Sequence, residues 1–339
     1  MMPSAPVVLI HGGAGGPTPR ADVARRRQLM LDAVLAAANI IKEGATALDG
    51  AISAVVAMEN DPLFNAGYGS ALNLEGEVEM DASVMVGARE AQAGAVAAVR
   101  GVRNPILLAR AVMECTPHVL MVGDGARRLA RKAGLKCCRP QDLVSQRARL
   151  QWQKLRYFER PDSEVSRLKT ASARSAIPAN PRVENSSVRM RSSRAQAAAG
   201  VRGGTVGAVG LDMRGILAAA TSTGGIAGKL PGRVGDSAVI GAGTFADVNG
   251  AASATGMGEA ILKVGLCREA VRALQTLSPE QAALQAIRNL AETTRSQAGI
   301  ILLDRRKGYA YAHNAQAMDV ACFDPVHGAR FFAARPLRV

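Results

Sequence analysis

Residues 138–204 constrain the fold of this chain more than any other feature, because they break it in two. The stretch contains SEVSRLKTASARSAIPANPRVENSSVRMRSSRAQAAAG, rich in Arg, Ser and Ala, with scattered Pro and no sustained apolar period. Such a composition cannot bury enough apolar surface to offset the entropy lost on ordering, and it reads as a flexible basic linker. At RGGTVGAVG the chain turns at once into close-packed strand sequence. Any domain must therefore be assembled from two blocks, about residues 5–137 and 205–335, with the boundary on Thr205. The linker also carries the charge. Residues 145–204 hold 13 Lys and Arg against 4 Asp and Glu, most of the formal net charge of +14, so the folded blocks are only mildly basic and a nucleic-acid partner is not expected. The start of the linker, residues 143–158, has apolar residues at helical spacing and is expected to be a basic helix.

With 48% hydrophobic residues, 35 Gly and only 3% aromatics, the core must be built from Ala, Val, Ile and Leu, which suits layered sheets and helices that approach closely. In the first block, residues 7–10 are a strand running into the glycine run HGGAGG, read as a tight turn. Helices are expected at 21–42 and 46–59, strands at 79–86 and 93–99, a helix at 105–113, a strand at 118–122 and then a basic helix. The second block opens with strands 205–211 and 216–221 around a turn at 212–215. Helices follow at 259–276 and 279–294, with closing strands at 300–303 and 309–313. Hairpins and helices segregate, which favours antiparallel sheets covered by helices. The first residues lack a basic n-region and a long apolar run, so a cytoplasmic location without a membrane span is expected. The five cysteines show no metal-site spacing and read as reduced thiols.

The glycine run fits no familiar chemistry by itself. A phosphate loop would need GxGxxG or GK[ST], and an esterase-type oxyanion loop would need a GxSxG elbow; neither is present, the nearest being Ala220 to Gly224. The four histidines, His11, His118, His313 and His327, are scattered and suggest no His base. A threonine hydroxyl can instead be activated by its own α-amine if the chain is cut before it, since that amine has a pKa near ~7.7–8.0. A linker ending in Gly203-Gly204 ahead of a strand at Thr205 offers that geometry. The plainer alternative is that Thr205 merely starts a strand.

The stretches VVLIHGGAGG, DPLFNAGYGSALNLEGEVEMDAS, GGTVGAVGLD, AAATSTGGIAGKLPGRVGDS, VIGAGTFA and ATGMGE resemble, in order, the plant-type asparaginase and isoaspartyl peptidase family of N-terminal nucleophile hydrolases. The resemblance implies an α/β (α+β) fold, the four-layer αββα sandwich, and autocleavage between Gly204 and Thr205. The products would be an α subunit, 1–204, and a β subunit, 205–339, with two αβ units associating. It implies Thr205 as nucleophile and Thr223 as the hydroxyl that orients it. Thr255 and the Gly256 amide would form an oxyanion hole. Arg233 and Asp236 would clamp the substrate's α-carboxylate and α-ammonium, with the Gly256 and Gly258 backbone helping and Asn65 close by. A structural sodium ion is implied on the loop carbonyls of Met58, Glu59, Asp61, Phe64, Ala66 and Tyr68, with no organic cofactor. The implied small-molecule substrates are isoaspartyl dipeptides and L-asparagine, releasing L-aspartate. A glycosylasparaginase-like amidase and a non-enzymatic, nucleic-acid-binding protein stay open as alternatives. Two departures stand out. The linker is longer and more basic than the family pattern, and AHNAQAM at 312–318 replaces a Phe-Asn-Thr-x-Gly-Met-like strand, so His313, Ala315 and Ala317 are expected to alter substrate preference.

Overall fold

The computed structural model describes residues 5–158, 204–334 and 336–337; linker residues 159–203 lie outside the described residues. The first block begins with strand β1 (Val7–Gly15) and helices α1 (Arg20–Lys42) and α2 (Ala47–Glu59). Hairpin β2 (Met80–Gly87) and β3 (Gln92–Val99) follows, then α3 (Pro105–Cys115), β4 (Leu120–Val122), α4 (Gly123–Lys132) and α5 (Gln146–Phe158). The second block opens with hairpin β5 (Val206–Leu211) and β6 (Leu217–Thr223), then β7 (Thr244–Ala246) and β8 (Gly250–Gly256). Helices α6 (Gly258–Val264), α7 (Leu266–Ala273) and α8 (Pro279–Thr294) lead to β9 (Ala298–Asp304), β10 (Tyr309–His313), β11 (Ala317–Asp324) and β12 (Gly328–Ala334).

Eight strands form one sheet in the order β12-β11-β1-β5-β6-β2-β3-β4, and four form a second in the order β10-β9-β8-β7. Both blocks contribute to the large sheet: β5 is zipped between β1 and β6, so the strand that follows Thr205 sits at its centre. Alternation along the strands then sorts the side chains into layers. Val8, Ile10, Ala208, Ala220 and Val84 face helices α1 to α3. Leu9, Val209, Ala219, Met85, Ala251 and Ile301 fill the space between the two sheets. Ala252, Ala254, Ile300 and Leu302 face α6 to α8. The result is the expected four-layer αββα sandwich, and the many alanines are what let four layers close on one another.

Several elements differ from what their local sequence predicts. HGGAGG is not a turn: β1 continues to Gly15, paired with β11, around a bulge between His11 and Ala14. The helix expected at 259–276 is two helices, broken where Gly265 adopts a left-handed backbone (φ 62). The closing strands are not the last, since β11 and β12 follow and form the edge of the large sheet beyond β1. The basic helix expected at 143–158 is present as α5, with Leu143, Ala148 and Leu155 buried. Among the strand pairs of the described residues, β3 with β4 is the parallel one.

Candidate active site

Three cross-strand rows on the inner face of the large sheet build the site. The first is apolar: Leu9, Val209, Ala219 and Met85 stand in register on β1, β5, β6 and β2. Two residues further along, the same strands carry His11, Gly207, Thr221 and Ser83. This second row is buried, polar at every position but Gly207, and closed by the small sheet. Ser253 on β8 bonds His11 Nε2 (2.9 Å) and Thr221 (2.7 Å), and Thr244 on β7 donates to Thr221 (2.5 Å). Ser83 donates to the Ser237 carbonyl (2.7 Å), and its hydroxyl oxygen lies 2.7 Å from Thr244 Oγ1. Gly207 makes room for this contact, because a Cβ there would fall 1.9 Å from Ser253 Oγ. Burial lowers the His11 pKa to about 3, with the Thr205 backbone opposing and the Arg26 charge adding to the shift. His11 is therefore a neutral hydrogen-bonding group.

The third row is the candidate site. Thr205 immediately precedes β5, one step beyond the Val206–Ser222 pair and so opposite Thr223 on β6, whose neighbour on the other side is Asp81 of β2. Thr205 Oγ1 donates to Thr223 Oγ1 at 3.2 Å, and Thr223 Oγ1 also accepts the Gly225 N–H at 3.0 Å. Both threonines are buried. Since Gly207 lies over Ser253, the same facing carried two residues along both strands brings Thr205 toward Thr255. Thr255 Oγ1 accepts the Ala14 N–H (3.1 Å), which leaves its own proton free to donate. Gly256 follows at φ 134, where a Cβ would fall 2.6 Å from Ala298 Cα. On the other flank, Asn65 bridges the Gly225 carbonyl (2.7 Å) and the Ala71 N–H (2.8 Å).

Arg233 and Asp236 lie together by Gly258, where a Cβ would be 2.8 Å from both Arg233 Nη2 and Asp236 Oδ1. The two are not each other's ion pair. Arg233 binds Glu259 at 2.8 Å, a partner the sequence reading did not name. Asp236 is buried, and burial pushes its carboxyl up to about 7 against the pull of the Arg233 charge. Its Oδ2 has no hydrogen-bond partner among the described residues, while Arg233 is held by Glu259 through Nε (2.9 Å) and Nη2 (2.8 Å). The unpartnered carboxyl oxygen is an acceptor that an ammonium could use, and the guanidinium beside it is a group that a carboxylate could use. Lys229, also unremarked in the sequence, is buried beneath Gly225 and donates to the Glu79 carbonyl (2.8 Å); burial lowers its pKa, opposed by the charges of Asp81 and Glu79.

The loop expected to hold a cation curls tightly around its own carbonyls. A Cβ at Gly67 would fall 2.3 Å from the Glu59 carbonyl oxygen, and one at Gly69 would fall 1.9 Å from that of Phe64. Met58, Asp61 and Ala66 carbonyls each accept a backbone N–H within the loop, while Tyr68 lies on its short 3₁₀ turn. The Glu59 side chain points elsewhere: it accepts from Ser222 (2.6 Å), Asn104 (3.0 Å) and the Ile106 N–H (3.1 Å), and burial raises its pKa to about 7. No group of three or more His, Cys, Asp or Glu side chains suited to a metal exists among the described residues. His313 is buried below the small sheet, its ring nitrogens against the carbonyls of Ala315 (3.1 Å) and Ala334 (2.9 Å), so its role is to tie β10 to the end of β12.

A four-layer sandwich with a threonine hydroxyl at the head of a central strand defines the class: the N-terminal nucleophile hydrolase fold. Within that class, residues 4–328 match the family model described as asparaginase, and the chain belongs to the asparaginase family. Among its relatives is an isoaspartyl peptidase/L-asparaginase of Bos taurus, 39% identical over 318 residues, 92% of this chain and 91% of that protein. The Homo sapiens isoaspartyl peptidase/L-asparaginase is 39% identical over 302 residues, 88% and 87% of the two chains. A plant-type L-asparaginase of Pyrococcus abyssi is 38% identical over 316 residues, 93% and 95% of the two.

Proposed function

We propose that this protein is an autocleaving threonine amidohydrolase that hydrolyses isoaspartyl dipeptides and L-asparagine to L-aspartate. The observation that carries the reading is the 3.2 Å contact of Thr205 Oγ1 with Thr223 Oγ1, one residue after Gly204 and in the row that ends at Asp81. In maturation, Thr205 Oγ adds to the Gly204 carbonyl carbon and the C–N bond breaks. The proton moves to the released Thr205 amine, and water hydrolyses the ester. Residues 1–204 and 205–339 then form the α and β subunits. In turnover the free amine accepts the Oγ proton, and Oγ attacks the β-carbonyl of the substrate. The Thr255 hydroxyl and Gly256 N–H stabilise the oxyanion. The leaving amine takes up the proton, and water releases aspartate from the ester.

The substrate's α-carboxylate is assigned to Arg233 and its α-ammonium to Asp236, with the Gly256 and Gly258 backbone alongside. Asn65 sits near the nucleophile as a polar wall of the pocket. The 58–68 loop is assigned a sodium ion. Oxygen-only carbonyl donors suit a hard cation, and each of Met58, Asp61 and Ala66 has a second lone pair beyond its backbone bond. Two αβ units are assigned to one particle; exposed Val119, Leu120 and Val122 at β4 suit such a contact. No helix among the described residues is long and apolar enough to cross a membrane, and the protein is assigned to the cytoplasm. The test is the mass of the purified chain and aspartate release. The protein should separate into fragments ending at Gly204 and beginning at Thr205, and Thr205→Ala should stay whole and inactive. A Thr205→Ala chain that still divides after residue 204 would overturn the reading.

A further inference from the structure

The bulge in β1 needs a partner that the mechanism above does not use. His11 pairs with Val320 and Ala14 with Met318, so Gly12 and Gly13 together face the single residue Asp319 on β11. A bulge of this kind takes a backbone carbonyl out of the ladder, and a buried carbonyl must be bonded elsewhere. Arg26 on α1 supplies the donor. Its Nη2 donates to the Gly12 carbonyl, its Nη1 to the Leu63 carbonyl (2.8 Å), and its Nε to Asp319 Oδ2 (2.7 Å). The Phe64 ring lies 4.4 Å beneath the guanidinium, and Thr18 donates to the same Asp319 oxygen (3.2 Å). Arg26 and Asp319 side chains are only 12% and 17% exposed, so this is a packed brace and not a surface pair.

The brace bears directly on the proposed scissile bond. Gly13 (φ 113) lies so close to Gly204 that a Cβ on Gly13 would be 2.4 Å from Gly204 Cα. A Cβ on Gly204 would in turn be 3.4 Å from the Gly12 carbonyl oxygen, the atom that Arg26 holds. We infer that Arg26, fixed by Asp319, is a positioning residue for chain cleavage: it presses the Gly12–Gly13 backbone against Gly204 and keeps the Gly204 carbonyl carbon within reach of Thr205 Oγ. The inference rests on the autocleavage reading.

The test follows cleavage of freshly synthesised full-length chain by intact mass, alongside thermal unfolding. Arg26→Met and Asp319→Asn should each slow cleavage by about ten- to a hundred-fold, the cost of a displacement near 1 Å at a reacting centre. Arg26→Lys, which keeps the charge but loses the fork, should fall between Arg26→Met and the parent. Should Arg26→Met fail to fold, Asp319→Asn, which keeps the volume, decides the matter. Cleavage at the parental rate in a folded Arg26→Met or in Asp319→Asn overturns the inference. A Thr205→Ala control that divides at residue 204 overturns the autocleavage reading instead, so the two failures are distinguishable.

Discussion

At the scale of single residues, the site depends on hydroxyls and carboxyls taken out of water and then given few, specific partners. Thr223 accepts from both Thr205 and the Gly225 amide, so Thr223→Val should lower kcat by about a hundred-fold or more, whereas Thr223→Ser should keep most of it; steady-state aspartate release measures both. Asp236 leads to a pH dependence. Its carboxyl, pushed up to about 7 by burial, must be ionised to accept an ammonium. KM for an isoaspartyl dipeptide should therefore fall as pH rises through about 7, and Asp236→Asn should raise KM and remove that limb. Thr205 was singled out by the linker boundary before it, and Thr223, Arg233 and Asp236 through the family resemblance of the stretches that hold them. His11, Lys229 and Glu259 were not, because their partners, Ser253, Glu79 and Arg233, lie 242, 150 and 26 positions away.

At the scale of elements, Glu59 joins three of them: the end of α2, β6 through Ser222, and the start of α3 through Ile106. Its carboxyl is raised from 4.5 to about 7 by burial, so the folded chain keeps a proton that the unfolded chain has lost. Stability from this group is therefore lost as pH rises from about 4.5 to about 7. Glu59→Gln should gain on the parent over that window, by on the order of 3 kcal/mol between its ends, as read by urea unfolding at pH 4.5 and 8. Helix α2 was clear in the sequence from its run of Ala, Leu, Ile and Val, and the structure starts it with a capping box in which Thr46 and Asp49 bond each other's backbone N–H. The glycine run of β1 was misread for the opposite reason. Its conformation comes from β11, some three hundred residues away, and not from its own composition. Likewise the break at Gly265 interrupts a pattern that is helical on both sides.

At the scale of the whole molecule, the two sheets hold the candidate nucleophile between them, and their apolar interlayer sets how firmly. Leu9 is fully buried there, and Leu9→Ala should cost about 2–5 kcal/mol in equilibrium unfolding. Every candidate site residue lies outside residues 165–195, so deleting that stretch should leave kcat and KM unchanged within error; loss of activity would give the linker a part in the reaction. The sequence by itself determined the two blocks, the layered small-residue core, most helices and the order of the site motifs, because these follow from local composition, period and capping. Only the tertiary structure decided which strands stand side by side. That pairing aligns His11 with Gly207, Thr221 and Ser83, sets Thr205 opposite Thr223, and brings Arg26 to Asp319 across 293 positions. Strand register and buried polar pairing are long-range choices: they are settled by which polar groups can satisfy one another once water is excluded.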